Sequence, residues 1–286
     1  MGKQSSLQEA TMSNLEILHT IFTQFPLALA GSLLAGILCA YLGVYVVTKR
    51  IVFVGATLTE VAVAGLAFAE LPFVGLYPAV GSLLFTFLGV IVLSRLLRNT
   101  KISRDSVLGA SYVLAITLRV LLMQKSSGAE ISEIDSILKG DMLFVTAEQF
   151  YLLLGTAAIL FTLHLLFFKE FVFVSFDPEM ATTQGFRSRW WEFLFYLTVG
   201  FAVSVSIRIV GDVFTFGFLV VPAIAALQIA KRVHRIFLTA VGLALLPPIV
   251  GLFLAFKLDL PAGPATVATC FILLPLAWIV KFFQRR

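Results

Sequence analysis

Residues 26–47 read PLALAGSLLAGILCAYLGVYVV, an apolar run of 22 residues that carries no charge. A second run of the same kind, YLLLGTAAILFTLHLLFF, occupies residues 151–168. About 20 apolar residues in helical form cross the roughly 30 Å hydrocarbon core of a bilayer, where a backbone must satisfy its own hydrogen bonds. We therefore predict that both runs are membrane-spanning helices.

The rest of the chain repeats this pattern. Hydrophobic residues make up 59% of the 286 positions and the mean hydropathy is +1.00, whereas a soluble domain alternates buried and solvated faces. The sequence predicts an all-α polytopic membrane protein with about nine spans. These spans are residues 26–48, 51–71, 77–97, 106–123, 150–168, 190–209, 213–230, 236–257 and 264–281. For the span 213–230, Gly211, Gly217 and Pro222 leave open a broken or re-entrant helix.

Two regions follow from these spans. Residues 1–25 are predicted as an extracytoplasmic amphipathic lead-in, with residues 15–25 at the membrane interface and no cleaved signal peptide. Residues 26–286 are predicted as a single transmembrane domain, because no segment between spans is long enough to bury a core of its own.

Basic residues set the expected orientation. Segments 49–50, 95–104, 169–189, 231–235 and 281–286 hold 15 of the 21 Lys and Arg residues, and nine spans place all five segments on one side. The long loop on the other side is acidic, with Glu130, Glu133, Asp135 and Asp141. The positive-inside rule predicts a cytoplasmic C-terminus and an external N-terminus. Loops that face anionic lipid account for the net charge of +5, so no nucleic-acid partner is expected.

Motifs for bond-making chemistry are absent from the sequence. It contains no Walker phosphate loop, HExxH helix or GxGxxG turn, so the expected energy source is an ion gradient or a partner protein. The two cysteines, Cys39 and Cys270, fall in apolar runs, which argues against a disulfide framework or a cysteine metal cluster. We expect no catalytic site on this chain and no covalently bound cofactor.

Two ionisable residues stand inside predicted spans, where each is energetically expensive. Glu60 lies in the middle of the second span, and Arg119 lies towards the outer end of the fourth. Glu60 must therefore be protonated, face a polar translocation path or pair with Arg119 as a structural ion pair between helices, and the sequence leaves these alternatives open. His164 is predicted as a hydrogen-bonded core residue, and Asp212 as a helix N-cap.

A distinctive segment, FDPEMATTQGF, lies at residues 176–186 between the fifth and sixth spans. Asp177, Pro178 and Glu179 are typical of a helix start, and Gly185 is typical of a stop about two turns later. Glu179, Ala181 and Gly185 form the pattern E-x-A-x-x-x-G on this short helix. A surface helix without a partner does not require such a pattern.

Five ordered blocks of the chain resemble the permease subunit of bacterial ABC importers for zinc, manganese or iron ions. They fall within residues 25–281 and are residues 31–69, 104–122, 133–150, 171–186 and 207–233. The resemblance implies a type II ABC importer-like permease in the bacterial cytoplasmic membrane, which moves a divalent metal ion by alternating access. It also implies three partners: an ATPase that binds ATP and docks on the 177–185 helix, a second permease copy in a homodimer, and an extracytoplasmic metal-binding protein.

The second span departs from the family pattern. Family members carry Gly-Asp-Ala-Leu-Ser-His there, and Ala56 and Glu60 hold the places of the Asp and the His. We therefore expect either that Glu60 contributes to a metal path with groups from other helices, or that the path passes ions without a tight site. One alternative is an ABC permease for cobalamin or a ferric siderophore, whose path is wide and free of charged constrictions. Another is an ion-coupled secondary transporter, although the sequence shows no convincing internal repeat.

Overall fold

The computed structural model describes residues 14–71, 73–97, 102–125 and 142–284, without the side chains of Asp105, Pro178 and Glu179. All regular structure in these residues is helical. The predicted acidic loop, with Glu130, Glu133, Asp135 and Asp141, lies outside the described residues.

The helices of the described ranges agree with the predicted spans. In chain order they are α1 (Asn14–Gln24), α2 (Pro26–Thr48), α3 (Phe53–Ala69), α4 (Pro78–Leu96), α5 (Arg104–Met123), a 3₁₀ turn (Met142–Phe144), α6 (Ala147–Leu166), α7 (Phe168–Phe176), α8 (Pro178–Thr183), α9 (Ser188–Val210), α10 (Asp212–Ile229), α11 (Val233–Leu243), α12 (Leu246–Leu258), α13 (Ala262–Phe271) and α14 (Leu273–Gln284). Among the described residues, eight helices are long and apolar enough to cross a bilayer, and α3 is a shorter apolar helix of 17 residues. The all-α, polytopic prediction is confirmed.

Prolines divide the last two spans, which the sequence predicted as continuous. Pro248 and Pro275 each follow a break by one turn, because a proline ring clashes with the carbonyl four residues earlier. Those carbonyls belong to Ala244, in the break between α11 and α12, and to Phe271, the last residue of α13. The broken-helix alternative for residues 213–230 is wrong, since α10 runs through Pro222 without interruption.

The most enclosed helices are α2, α3, α9 and α10, while α5 and α6 turn large apolar side chains outward, as a lipid-facing surface requires. Helix α3 packs along both α4 and α5, and α2 packs along α10. At the α2–α10 crossing, a Cβ atom on Gly43 would collide with the backbone carbonyl of Leu219. Glycine at this position therefore lets the two backbones touch.

The lead-in helix α1 is amphipathic. Ile17 and Ile21 are buried and Leu15 and Phe22 are exposed, with α1 packed mainly on α12. Its position at the outer membrane interface, and the boundary between residues 1–25 and 26–286, stay predictions.

Candidate functional site

Glu60 and Arg119, singled out in the sequence as intramembrane charges, lie together in the structure. Glu60 is buried in the middle of α3, and Arg119 reaches it from α5. Arg119 Nη1 is 3.0 Å from Glu60 Oε2, although the two groups are not aligned for a hydrogen bond. The contact is therefore electrostatic, and Glu60 Oε2 keeps its lone pairs free of hydrogen-bond donors.

A cavity of about 360 Å³ lies beside Glu60, with walls from α3, α5, α10, α13 and α14. Ala56 and Glu60, one turn apart on α3, both line it. Thr59 of α3 and Tyr112 of α5 add polar groups, and Phe271 contributes an apolar wall. The helix face that carries the family's carboxylate and imidazole positions thus borders a cavity in this chain.

Asp212 contributes a second carboxylate to this cavity, which sequence reasoning missed. Asp212 lies at the N-terminus of α10 as predicted, one position later than an N-cap, because Gly211 is the N-cap residue and Asp212 is the first residue of the helix. Asp212 Oδ1 accepts a hydrogen bond from the backbone N–H of Val213, and the side chain lines the cavity. Arg119 lies close enough to interact electrostatically with Asp212 as well as with Glu60. Asp212 and Glu60 come together at one cavity only because α10 packs against α3.

No preformed metal cluster accompanies these groups in the described ranges. No three His, Cys, Asp or Glu side chains there are grouped so that they could hold a metal ion. Cys39 and Cys270 are free and buried. His164 is buried with Nε2 at 3.0 Å from Thr198 Oγ1, which confirms its prediction as a core residue. The cavity can therefore attract a cation with two carboxylates but does not enclose it tightly.

The short helix α8 has the start and stop that the sequence predicted. Asp177 Oδ1 accepts a hydrogen bond from the N–H of Met180 at 2.9 Å, and Pro178 opens the helix. Gly185 has φ of +85°, and its N–H donates to the Thr182 carbonyl at 3.1 Å. The N–H of Phe186 donates to the carbonyl of Ala181, also at 3.1 Å. These two bonds form a Schellman motif, which favours glycine at the position with positive φ.

One side of α8 faces the protein and the other faces outward. Ala181 is fully buried, whereas Met180, Thr183 and Gln184 are exposed. The side chain of Glu179 is outside the described part. The geometry gives α8 a free face, and its role as the ATPase contact stays a prediction.

A buried lysine ties the segment before α8 to the bundle, a link that the sequence did not disclose. Lys49 follows α2, and its Nζ donates a hydrogen bond to the Val174 carbonyl of α7 at 3.0 Å. Glu192 Oε1 of α9 lies 3.9 Å from both Lys49 Nζ and Arg104 Nη1. Burial lowers the pKa of Lys49 to about 8, and the nearby Glu192 carboxylate opposes this shift. The arm that carries α8 is thus connected to α2 and α9.

The chain matches a known transport family and individual membrane transport proteins over most of its length. Residues 22–281 match the ABC 3 transport family. The chain is 26% identical over 262 residues to the "High-affinity zinc uptake system membrane protein ZnuB" of Haemophilus influenzae, covering 91% of this chain and 97% of that protein. It is 22% identical over 256 residues to the "Manganese import system permease protein ScaB" of Streptococcus gordonii, covering 90% and 89%.

A solved structure shares the fold. A chain of PsaBC from Streptococcus pneumoniae, in complex with Fab, superposes with a TM-score of 0.81 at 20% identity, covering 92% of this chain and 95% of that one. The fold and the match define a membrane-spanning permease subunit of an ABC transporter. The chain belongs to the ABC 3 transport family. It is a multi-pass transport subunit without a catalytic site of its own.

Proposed function

We propose that this chain is the permease of an ABC importer for a divalent metal ion (zinc, manganese or iron) in a bacterial cytoplasmic membrane. The observation that carries the proposal is the pair of carboxylates, Glu60 and Asp212, on facing helices around one intramembrane cavity. Carboxylate oxygens suit divalent ions such as Mn²⁺, and an ionisable residue in the middle of a span, as Glu60 is, marks an ion pathway. Zinc and manganese in the names of the two relatives support the same class of cargo.

The size of the cavity favours an ion over a large chelate. A hydrated ion with six waters takes roughly 200 Å³, at about 30 Å³ per water. The cavity volume of about 360 Å³ accommodates such an ion. With two carboxylates against one guanidinium, the site attracts a cation yet releases it, which a translocation path requires.

The partners proposed from the family resemblance complete the transporter. Two copies of the permease pair around a central path, each copy carries an ATPase on α8, and an extracytoplasmic binding protein delivers the metal. Closure of the ATPases on ATP moves α8 as a rigid body. The link from α7 through Lys49 carries this motion to α2, so that the path alternates between outward-open and inward-open states.

Cargo selection tests this function directly. We expect the permease, purified with its ATPase, placed in proteoliposomes and supplied with its metal-binding protein, to accumulate radioactive Mn²⁺ or Zn²⁺ only when ATP is supplied. Ferric siderophore and cobalamin should not accumulate and should not compete, because the cavity is too small for them. ATP-dependent uptake of either chelate would support the sibling permease class instead. Metal uptake driven by an ion gradient without ATP would support a secondary transporter.

The proposed orientation has an external N-terminus and a cytoplasmic C-terminus. Lys49, Arg104 and Glu192 meet at one end of the bundle, and Tyr77 Oη lies 3.5 Å from Glu148 Oε1 at the other. Most basic residues of the described loops lie at the first of these ends, with Lys125 at the other, and the positive-inside rule assigns the more basic end to the cytoplasm.

Cysteine labelling checks this orientation. Ile102 and Ala147 are exposed and lie before α5 and at the start of α6, at opposite ends of the bundle. We expect an impermeant maleimide added to intact cells to label Ala147→Cys and not Ile102→Cys. The native Cys39 and Cys270 are buried and serve as the unreactive background. Labelling of both variants from one side, or the reverse pattern, would contradict the orientation.

A further inference from the structure

A large cleft lies at the basic end of the bundle, away from the carboxylate cavity. Its volume is about 710 Å³, and its walls come from the end of α4, from α8 and from the start of α9. Three arginines line it: Arg95 in the last turn of α4, and Arg187 and Arg189 around the first residue of α9. The proposed transport function gives this cleft no role.

The charges of this arginine cleft are not neutralised by the described protein. Arg95, Arg187 and Arg189 are all exposed, and no described carboxylate lies within ion-pair distance of them. Ser188 Oγ is shielded from solvent yet has no hydrogen-bond partner in the described ranges. Three guanidinium groups and an unpartnered hydroxyl are the donors that recognise a phosphate group.

The other half of the arginine cleft is apolar and lies deeper in the bundle. Ile91 is one turn below Arg95 on α4, and Phe193 is one turn below Arg189 on α9. Trp190, 60% exposed, stands at the rim with its ring 6.1 Å from that of Phe193. Tryptophan at the end of a span is typical of the headgroup level of a membrane.

We propose that the arginine cleft binds an anionic phospholipid, with the phosphate among the three arginines and the first part of an acyl chain against Ile91 and Phe193. A soluble phosphate compound matches the donors but leaves the apolar half empty. A soluble protein such as the ATPase reaches the basic rim but not the part of the cleft at the depth of the spans. Because Thr182 of α8 also lines the cleft, the bound lipid touches the proposed docking helix.

Photo-cross-linking tests the lipid directly. The complete permease–ATPase complex is placed in phosphatidylcholine nanodiscs that contain a trace of photoreactive phosphatidylglycerol, and the attachment sites are mapped by mass spectrometry. We expect attachment near Trp190 and Phe193. Each arginine near a membrane surface is worth about fivefold in affinity for anionic lipid, so Arg95→Gln with Arg189→Gln should reduce this labelling about 30-fold.

Matched controls separate this site from general charge attraction. Lys169→Gln with Lys281→Gln removes the same charge at the same end of the bundle but outside the cleft, and labelling near Trp190 should stay within about twofold of wild type. In the wild type, unlabelled phosphatidylglycerol should compete and extra phosphatidylcholine should not. These readouts do not depend on transport, so the lipid site can fail while the proposed function stands.

Three results would overturn the lipid assignment. The first is equal labelling of the double arginine variant and the wild type. The second is displacement of the lipid by millimolar inorganic phosphate, which would identify a phosphate site. The third is labelling of the isolated permease that disappears when the ATPase is bound, which would identify the cleft as part of the ATPase contact.

Discussion

Glu60→Gln is expected to lower ATP-driven uptake of the divalent ion about 10- to 100-fold. The change keeps the shape of the side chain but removes one of the two carboxylates that face the cavity, and an interaction with a charged group is worth about 1.5–3 kcal/mol. The permease should still assemble with its ATPase. Radioactive Mn²⁺ or Zn²⁺ uptake by proteoliposomes measures the loss.

Glu60→Gln also distinguishes a role of Glu60 in the translocation path from a role in a structural ion pair with Arg119. Removing the charge leaves Arg119 without its nearest partner, so the free energy of unfolding in detergent should fall by about 1–3 kcal/mol. The double variant Glu60→Gln, Arg119→Met should regain stability, because it removes the orphaned charge. If Glu60 serves the path, uptake stays low in the double variant; if it serves only the ion pair, uptake returns with stability.

Glu148→Gln is the matched control, since Glu148 is an exposed carboxylate at the end of the bundle away from Lys49 and lies outside the cavity. It should leave uptake and stability unchanged. A stable Glu60→Gln permease with normal uptake would show that Glu60 serves neither the path nor a structural ion pair. Helix α3 would then have a purely structural function.

Gly185→Val is expected to uncouple the transporter. The backbone at Gly185 has φ of +85°, where a β-branched residue costs about 1–3 kcal/mol. An added Cβ meets nothing within 4 Å, so strain in the Schellman motif is the whole effect and the spans stay folded. Co-purification of the ATPase and coupled uptake should both fall about tenfold or more.

Two further variants check that backbone geometry is the cause. Gly185→Asn should keep most of the coupling, because asparagine tolerates a left-handed conformation. Gly155→Val makes the same replacement in α6, where an added Cβ also meets nothing within 4 Å but φ is not positive, and coupling should be unaffected. Undiminished ATPase binding and uptake in Gly185→Val would remove α8 as the docking helix.

The sequence predicted several local elements that the structure contains. The limits of α8 followed from Asp177, Pro178 and Gly185, because caps and positive-φ glycines act through hydrogen bonds within a few residues. The spans followed from uninterrupted apolar length, since lipid requires each helix to satisfy its own backbone. Pro248 and Pro275 mark the breaks in the last two spans, although apolar length alone predicts that both spans are continuous.

What the sequence determined by itself is therefore the class of molecule: an all-helical membrane protein with about nine spans, two costly charges within them and a short capped helix between α7 and α9. Each of these depends on composition or on neighbours within a turn. The tertiary structure alone decided that Asp212 shares a cavity with Glu60 and that Lys49 holds α7. It also decided that Arg95 of α4 meets Arg187 and Arg189, on either side of the first residue of α9, in one cleft. These juxtapositions join residues tens to more than a hundred positions apart, and they depend on which helix faces which in the packed bundle.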